Sequence, residues 1–103
     1  MNCKELCEKI NGVLLSGNPK AELSGCYIGD LLSLCMSKVC EKNVWITIQS
    51  NINTVAVATL TEAGCIVICE GFQPDENTLK KAIEEDVPII VSDMSAYEIA
   101  KKI

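Results

Sequence analysis

The residues with most chemistry to offer are seven cysteines, Cys3, Cys7, Cys26, Cys35, Cys40, Cys65 and Cys69. A thiolate is a nucleophile, one half of a redox couple and a soft metal ligand. The spacing speaks against each of these uses. No two cysteines form a C-x-x-C pair, and the chain contains no histidine to complete a typical zinc site. Their number is odd, and the opening Met1-Asn2-Cys3-Lys4-Glu5 lacks the apolar stretch of a secretion signal, so no disulfide framework is expected. All but Cys3 fall on an apolar face or in an apolar strand. The expected role is therefore that of small core hydrophobes in a reducing, cytoplasmic protein. A cysteine-based redox or metal-responsive site stands as the alternative.

Absent residue types exclude more than any motif does. All nine basic residues are lysine, against fourteen Asp and Glu, for a net charge of −5. Without arginine there is no bidentate clamp for phosphate or carboxylate. Without histidine a Ser-His-Asp or Cys-His device cannot be built. Neither G-x-x-x-x-G-K-[ST] nor a strand-following G-x-G-x-x-G occurs. An acidic chain without arginine is a poor partner for nucleic acid, whose affinity comes largely from neutralised phosphates. No apolar run approaches the ~20 residues that cross a bilayer. The expectation is a protein with no catalytic residues, no metal, no cofactor, no nucleic-acid partner and no membrane partner.

What remains is a set of polar residues that each precede a helical pattern: Gly29 and Asp30; Ser50, Asn51 and Asn53; Glu70, Gly71 and Phe72; Ser92 and Asp93. Helix N-termini present free N–H groups that favour acceptor groups of a ligand. Ser, Asn and Asp at such places are also the usual helix caps. Only the elements behind them decide whether they meet.

Those elements are readable from periodicity. Cys3, Leu6, Cys7 and Ile10 recur at helical spacing, stopped by Asn11-Gly12. Val13–Leu15 reads as a short strand and Leu23–Ile28 as a second. Asp30 is expected to cap a helix over 31–41, with Asn43 near its end. Val44–Ile48 is a β-branched and aromatic strand whose Trp45 belongs in the core. A helix follows over 52–63, with Ile52, Val55, Ala56, Thr59, Leu60 and Ala63 on one side. Cys65–Cys69 is apolar throughout, as in a parallel strand buried on both faces. Asp75 caps a charged helix with Glu76–Lys80 and Lys81–Glu85 as i, i+4 pairs and Leu79, Ala82 and Ile83 turned inward. Val87–Val91 is the last strand, and Ser95-x-x-Glu98 is a capping box for the terminal helix. Strands and helices alternating at this spacing predict a three-layer α/β/α sandwich, its mostly parallel sheet having four to five strands, in one domain over residues 1–103. In such a sheet the strand ends that precede helices lie along one rim, where ligands bind. All ten candidate residues are placed on that rim.

The runs Tyr27-Ile28-Gly29-Asp30-Leu31-Leu32-Ser33, Trp45-Ile46-Thr47 and Asn53-Thr54-Val55-Ala56-Val57-Ala58 carry a family resemblance. Together with Pro88-Ile89-Ile90-Val91 and Asp93-Met94-Ser95-Ala96-Tyr97-Glu98, they resemble the small DRTGG-type proteins of anaerobic bacteria over nearly the whole chain. Related domains occur beside CBS domains in some pyrophosphatases and in some phosphate acetyltransferases, and a similar fold forms the N-terminal domain of HPr kinase. Kinase chemistry there lies in a separate P-loop domain. The resemblance implies a regulatory or oligomerising module; the apolar composition, with Phe72 and the Ala-rich 52–63 helix as spare apolar surface, predicts a homodimer with a small-molecule or protein partner. Stand-alone versions are associated with hydrogenase and redox-enzyme genes. The name-giving Asp-Arg would fall at Ser50-Asn51-Ile52-Asn53 and Thr-Gly-Gly at Cys69-Glu70-Gly71, so one glycine of the signature is kept.

Overall fold

Alternation along three apolar strands determines the architecture. The computed structural model describes residues 1–103. In β3 (Val44–Thr47), β4 (Cys65–Ile68) and β5 (Ile89–Val91) every residue is buried. Trp45, Ile66, Ile68, Ile89 and Val91 enter one core, while Val44, Ile46, Cys65, Val67 and Ile90 enter another. A strand whose side chains alternate between two cores must be covered on both faces. Helices α2 (Leu32–Lys38), α3 (Ile52–Thr61) and α4 (Glu76–Glu84) cover the first face. Helices α1 (Cys3–Lys9) and α5 (Ala96–Ala100) cover the second. The sheet has five strands in the order β1-β5-β4-β3-β2, with β1 (Val13–Ser16) antiparallel to β5 and the rest parallel. This is the expected three-layer α/β/α sandwich. No helix is long and apolar enough to cross a membrane.

Several local expectations give way to tertiary demands. The second strand is shorter than 23–28: β2 spans Cys26–Ile28, because Gly25 is left-handed (φ +76°) and Leu23 is held by the Met1 carbonyl instead. Helix α2 starts at Leu32 and has no side-chain cap. It stops at Val39, which turns extended and enters the core, and Asn43 instead accepts from the Cys40 amide at 2.8 Å. The inward face of α3 is Thr54, Val55, Val57 and Ala58; Ile52, Ala56 and Leu60 face solvent. Ile83 of α4 is also exposed, leaving Thr78 and Ala82 as its buried residues. Of the two expected ion pairs only Lys81–Glu85 closes, at 3.1 Å. Pro88 stands just ahead of β5, an inner strand. A full capping box occurs at α1, where Asn2 and Glu5 exchange hydrogen bonds of 2.9 and 3.0 Å; at α5 the Ser95 hydroxyl serves Glu98 alone.

The cysteines divide differently from the expectation. Cys3 is fully buried with Cys35, Cys65 and Cys69, whereas Cys26 and Cys40 are exposed. Cys40 lies in the turn after α2. Tyr27 packs against the first core, so its strand neighbours Cys26 and Ile28 point to the opposite face, which no helix covers at that edge.

Candidate functional site

The rim at the strand ends is divided into two hydrogen-bonded halves. In the first, Asp30 does not cap α2. Its Oδ1 accepts from the Thr47 hydroxyl and from the Ile48 amide, both at 2.9 Å, tying the β2 loop to the end of β3. Gln49 closes the tie by donating to the Asp30 carbonyl at 2.8 Å and by accepting from the Asn51 amide group at 3.3 Å. Asn51 caps α3 through the Asn53 amide. Gly29 offers its carbonyl to the Trp45 indole at 3.0 Å. The side chains of this half are thus spent on one another. A carboxylate accepting two bonds here supports the loop directly, and hydrogen bonds to a charged group contribute about 1.5–3 kcal/mol when buried. Asp30 is exposed, so Asp30→Ala is expected to cost about 1–2 kcal/mol in chemical denaturation. A loss below about 0.5 kcal/mol would contradict the structural role.

The second half is made by backbone. Glu70 (φ +61°) and Gly71 (φ +78°) are consecutive left-handed residues directly after the central strand. That conformation aims both amides at the β5 loop: Glu70 donates to the Met94 carbonyl and Gly71 to the Ser92 carbonyl, each at 3.0 Å. A side chain at Gly71 would bring its Cβ to 3.1 Å from Asp93 Oδ1. The Ser92 hydroxyl donates to the Ile10 carbonyl at 2.8 Å and accepts from the Met94 amide at 3.2 Å. The halves meet where the Cys69 amide donates to the Thr47 carbonyl at 3.1 Å.

No single cavity gathers the ten candidates. Asn51 lines a cleft of about 350 Å³ between the start of α3 and the flank of α4, with Ile52, Asp75, Asn77, Lys80, Lys81 and Glu84. Ser92 and Asp93 line a smaller one of about 160 Å³ beside Asn11, Val13 and Gln73. Asn53 faces the α2–α3 groove. Gly29, Asp30, Ser50, Glu70, Gly71 and Phe72 line none of these. Sequence reasoning missed Asn77, Lys80 and Lys81. Their available signal was two lysines in the middle of α4, one of them left without an ion-pair partner. Close by, Thr54 and Thr78 sit on the first turns of the same two helices, buried, with hydroxyls that find no partner in the protein. Buried polar groups are seldom left so.

The thiols offer little to set beside this cleft. Burial pushes Cys35 and Cys69 above the ordinary thiol range. Cys65 is pushed well up, first by the hydrogen bond it gives the neighbouring Cys3 and then by burial. No three His, Cys, Asp or Glu side chains are grouped so as to hold a metal ion.

A family model for the DRTGG domain matches residues 5–103. No curated protein matches the chain. Among solved structures it is similar to the CBS and DRTGG domains of the regulatory region of the Clostridium perfringens pyrophosphatase, complexed with the activator diadenosine tetraphosphate. The TM-score is 0.73 at 8% identity, over 97% of this chain and 44% of that one. At that identity the likeness is one of fold, and this chain spans less than half of the neighbour.

Proposed function

The chain belongs to the DRTGG domain family, and from that premise we propose that it is a single-domain, non-enzymatic regulatory module. In this reading it binds a nucleotide-like small molecule at its strand-end rim and works as a homodimer. Its setting is the redox metabolism associated with stand-alone proteins of this type. The observation that carries the ligand is the α3–α4 cleft. Its volume lies at the lower end of those that hold small ligands. It opens at the N-terminus of α3, where amide dipoles favour anions, and runs along α4, which adds the ammonium groups of Lys80 and Lys81. Asp75 and Glu84 balance those charges, which suits a magnesium-complexed phosphate better than a bare polyanion. The pyrophosphatase neighbour carries an adenine dinucleotide as activator, and that class is the first to try. Against catalysis stand the lack of histidine and arginine and the commitment of the Asp30 carboxylate to Thr47 and Ile48.

The test is a thermal-shift titration with adenosine mono- and dinucleotides, including diadenosine tetraphosphate, with and without magnesium. A ligand at a hundred times its Kd stabilises by about 2.7 kcal/mol, roughly a 10 °C rise for a chain this size. Lys80→Ala should abolish most of that rise while leaving the unliganded melting point within a degree or two. The absence of a rise with every nucleotide at millimolar concentration would refute the ligand class. A full rise in Lys80→Ala would move the site from the cleft to the Gly71 half of the rim.

A further inference from the structure

The two edges of the sheet are guarded very differently. Exposed edge strands present unpaired N–H and C=O groups, and proteins blunt them with bulges, proline, lysine or covering segments. The β1 edge is blunted: its register shifts between Leu14 and Ser16, and Gly17 turns the chain away in a left-handed conformation. The β2 edge is short, three residues that start after the left-handed Gly25, but it carries no bulge, proline or lysine. Gly25 accepts from Val44 and Gly29 donates to Ile46, so alternate backbone groups of this stretch face β3. Those of Cys26 and Ile28 then point out of the sheet.

Apolar side chains surround this open edge on both faces. Ile28 is 48% exposed on the face that no helix covers. On the other face, α2 turns Leu32 and Met36 toward α3. At 100° per residue Leu34 lies on the side of α2 away from α3, and Leu31 is the extended residue that joins the β2 loop to the helix. Leu31 and Leu34 are 66% and 45% exposed. The whole run Leu23–Ser37 holds one charged residue, Asp30, and its carboxylate is bonded inward to Thr47 and Ile48.

We propose that the β2 edge is the homodimer interface, with β2 of one copy pairing antiparallel to β2 of a second about a two-fold axis at Tyr27. The sheet then runs continuously through both copies. This rests on the reading of the chain as a homodimer and names the surface that makes it one. A second copy fits for three reasons. Pairing about Tyr27 sets Cys26 of each copy opposite Ile28 of the other, so the outward N–H and C=O groups of both residues are satisfied by the same groups of the partner, as an isologous contact requires. Two chains of charge −5 repel, and they approach at least cost through a segment whose single charge is already engaged. The side of the molecule that carries β2 and α2 is also large enough. The molecule measures 26 × 25 × 23 Å, or roughly 600 Å² per side in projection, comparable with the ~800 Å² of accessible surface that a stable partner contributes. Three residues of strand pairing alone would be marginal; Leu31 and Leu34 packing on their counterparts over the new strand pair supply the apolar burial.

Light scattering across a concentration series tests this with four proteins, the natural chain and the Leu31→Glu, Leu34→Glu and Leu60→Glu variants, each checked for cooperative melting. The natural chain should have a two-chain mass at tens of micromolar. Leu31→Glu and Leu34→Glu should each weaken the dimer by roughly thirtyfold or more, the scale of a lost hot spot, and Leu60→Glu should not. In the natural chain the Cys26 and Ile28 amides should exchange more slowly as concentration rises. A dimer that survives both Leu31→Glu and Leu34→Glu, or whose Cys26 and Ile28 amides exchange at the same rate at all concentrations, would place the interface elsewhere and leave the homodimer reading intact. A natural chain of one-chain mass at these concentrations would end both.

Discussion

Replacing Gly17 by alanine is expected to destabilise the protein by roughly 2–5 kcal/mol, the largest loss from any single added methyl group. Two penalties combine there. The residue is left-handed (φ +86°), a conformation that costs an L-residue with a side chain about 1–2 kcal/mol. The new Cβ would also stand 2.5 Å from the Cα of Pro88 and 2.7 Å from its nitrogen. These are backbone atoms beside the start of β5 and cannot swing aside. Any relief must draw β1 from β5, and with it the Ser16 hydroxyl, which donates to the Val87 carbonyl at 2.7 Å and accepts from the Ile89 amide at 3.1 Å. Gly25→Ala is the control. Its φ is similar (+76°), but its Cβ meets one side-chain atom, the Asn43 amide nitrogen at 2.9 Å, and no backbone, so it should cost about 1–2 kcal/mol. Denaturant midpoints measured side by side decide the matter. Equal losses would mean that the Pro88 contact relaxes freely.

Trp45→Ala should cost about 3–5 kcal/mol, the range for deleting a large buried aromatic. The indole is fully buried in the first core, and its N–H reaches out of that core to the Gly29 carbonyl at 3.0 Å. The residue therefore fills the space beneath α2 and also holds the loop that leads into Asp30. Trp45→Phe separates these roles. It keeps most of the apolar volume, loses the hydrogen bond and should cost about 1–2 kcal/mol beyond any cavity. Circular dichroism under denaturant measures both variants. If phenylalanine proved as damaging as alanine, the hydrogen bond would outweigh the packing.

Legibility followed the strength of each local signal. β4 could be read whole, because Cys65–Cys69 is apolar at every position and only a strand covered on both faces uses such a run. β2 could not, because Leu23 and Cys26 look like strand residues whether or not Gly25 breaks the ladder between them. The inward face of α3 was misassigned for a related reason. Ile52, Val55, Val57 and Leu60 surround it with apolar side chains, so its periodicity names no single side. Asp30 stands ahead of a helix, where an aspartate is one of the preferred caps; that it would bridge to Thr47 and Ile48 depends on β3 lying beside β2, a fact of pairing and not of local sequence. The rim of strand ends was visible in outline from the alternation of strands and helices. The cleft at Asn77, Lys80 and Lys81 was not, since it arises from the flanks of two helices whose separation no periodicity records.

The strand order β1-β5-β4-β3-β2 has a consequence for a chain emerging from the ribosome. β3, β4 and β5 each pair with their predecessor, so that part of the sheet grows in step with synthesis. β1 is made before all of them, yet its sole partner is β5, the last to appear. Cys3, Leu6 and Ile10 of α1 share a core with Val44, Ile46, Cys65 and Val67 as well as with Ile90 and Ile99, so that core closes only when β5 and α5 arrive. At 5–20 residues per second the delay is roughly 4–15 s, during which β1 has no strand to pair with. A translation pause after β4 would leave that segment open to a chaperone or a protease, whereas the same pause after β2 would expose little more than an unfolded tail.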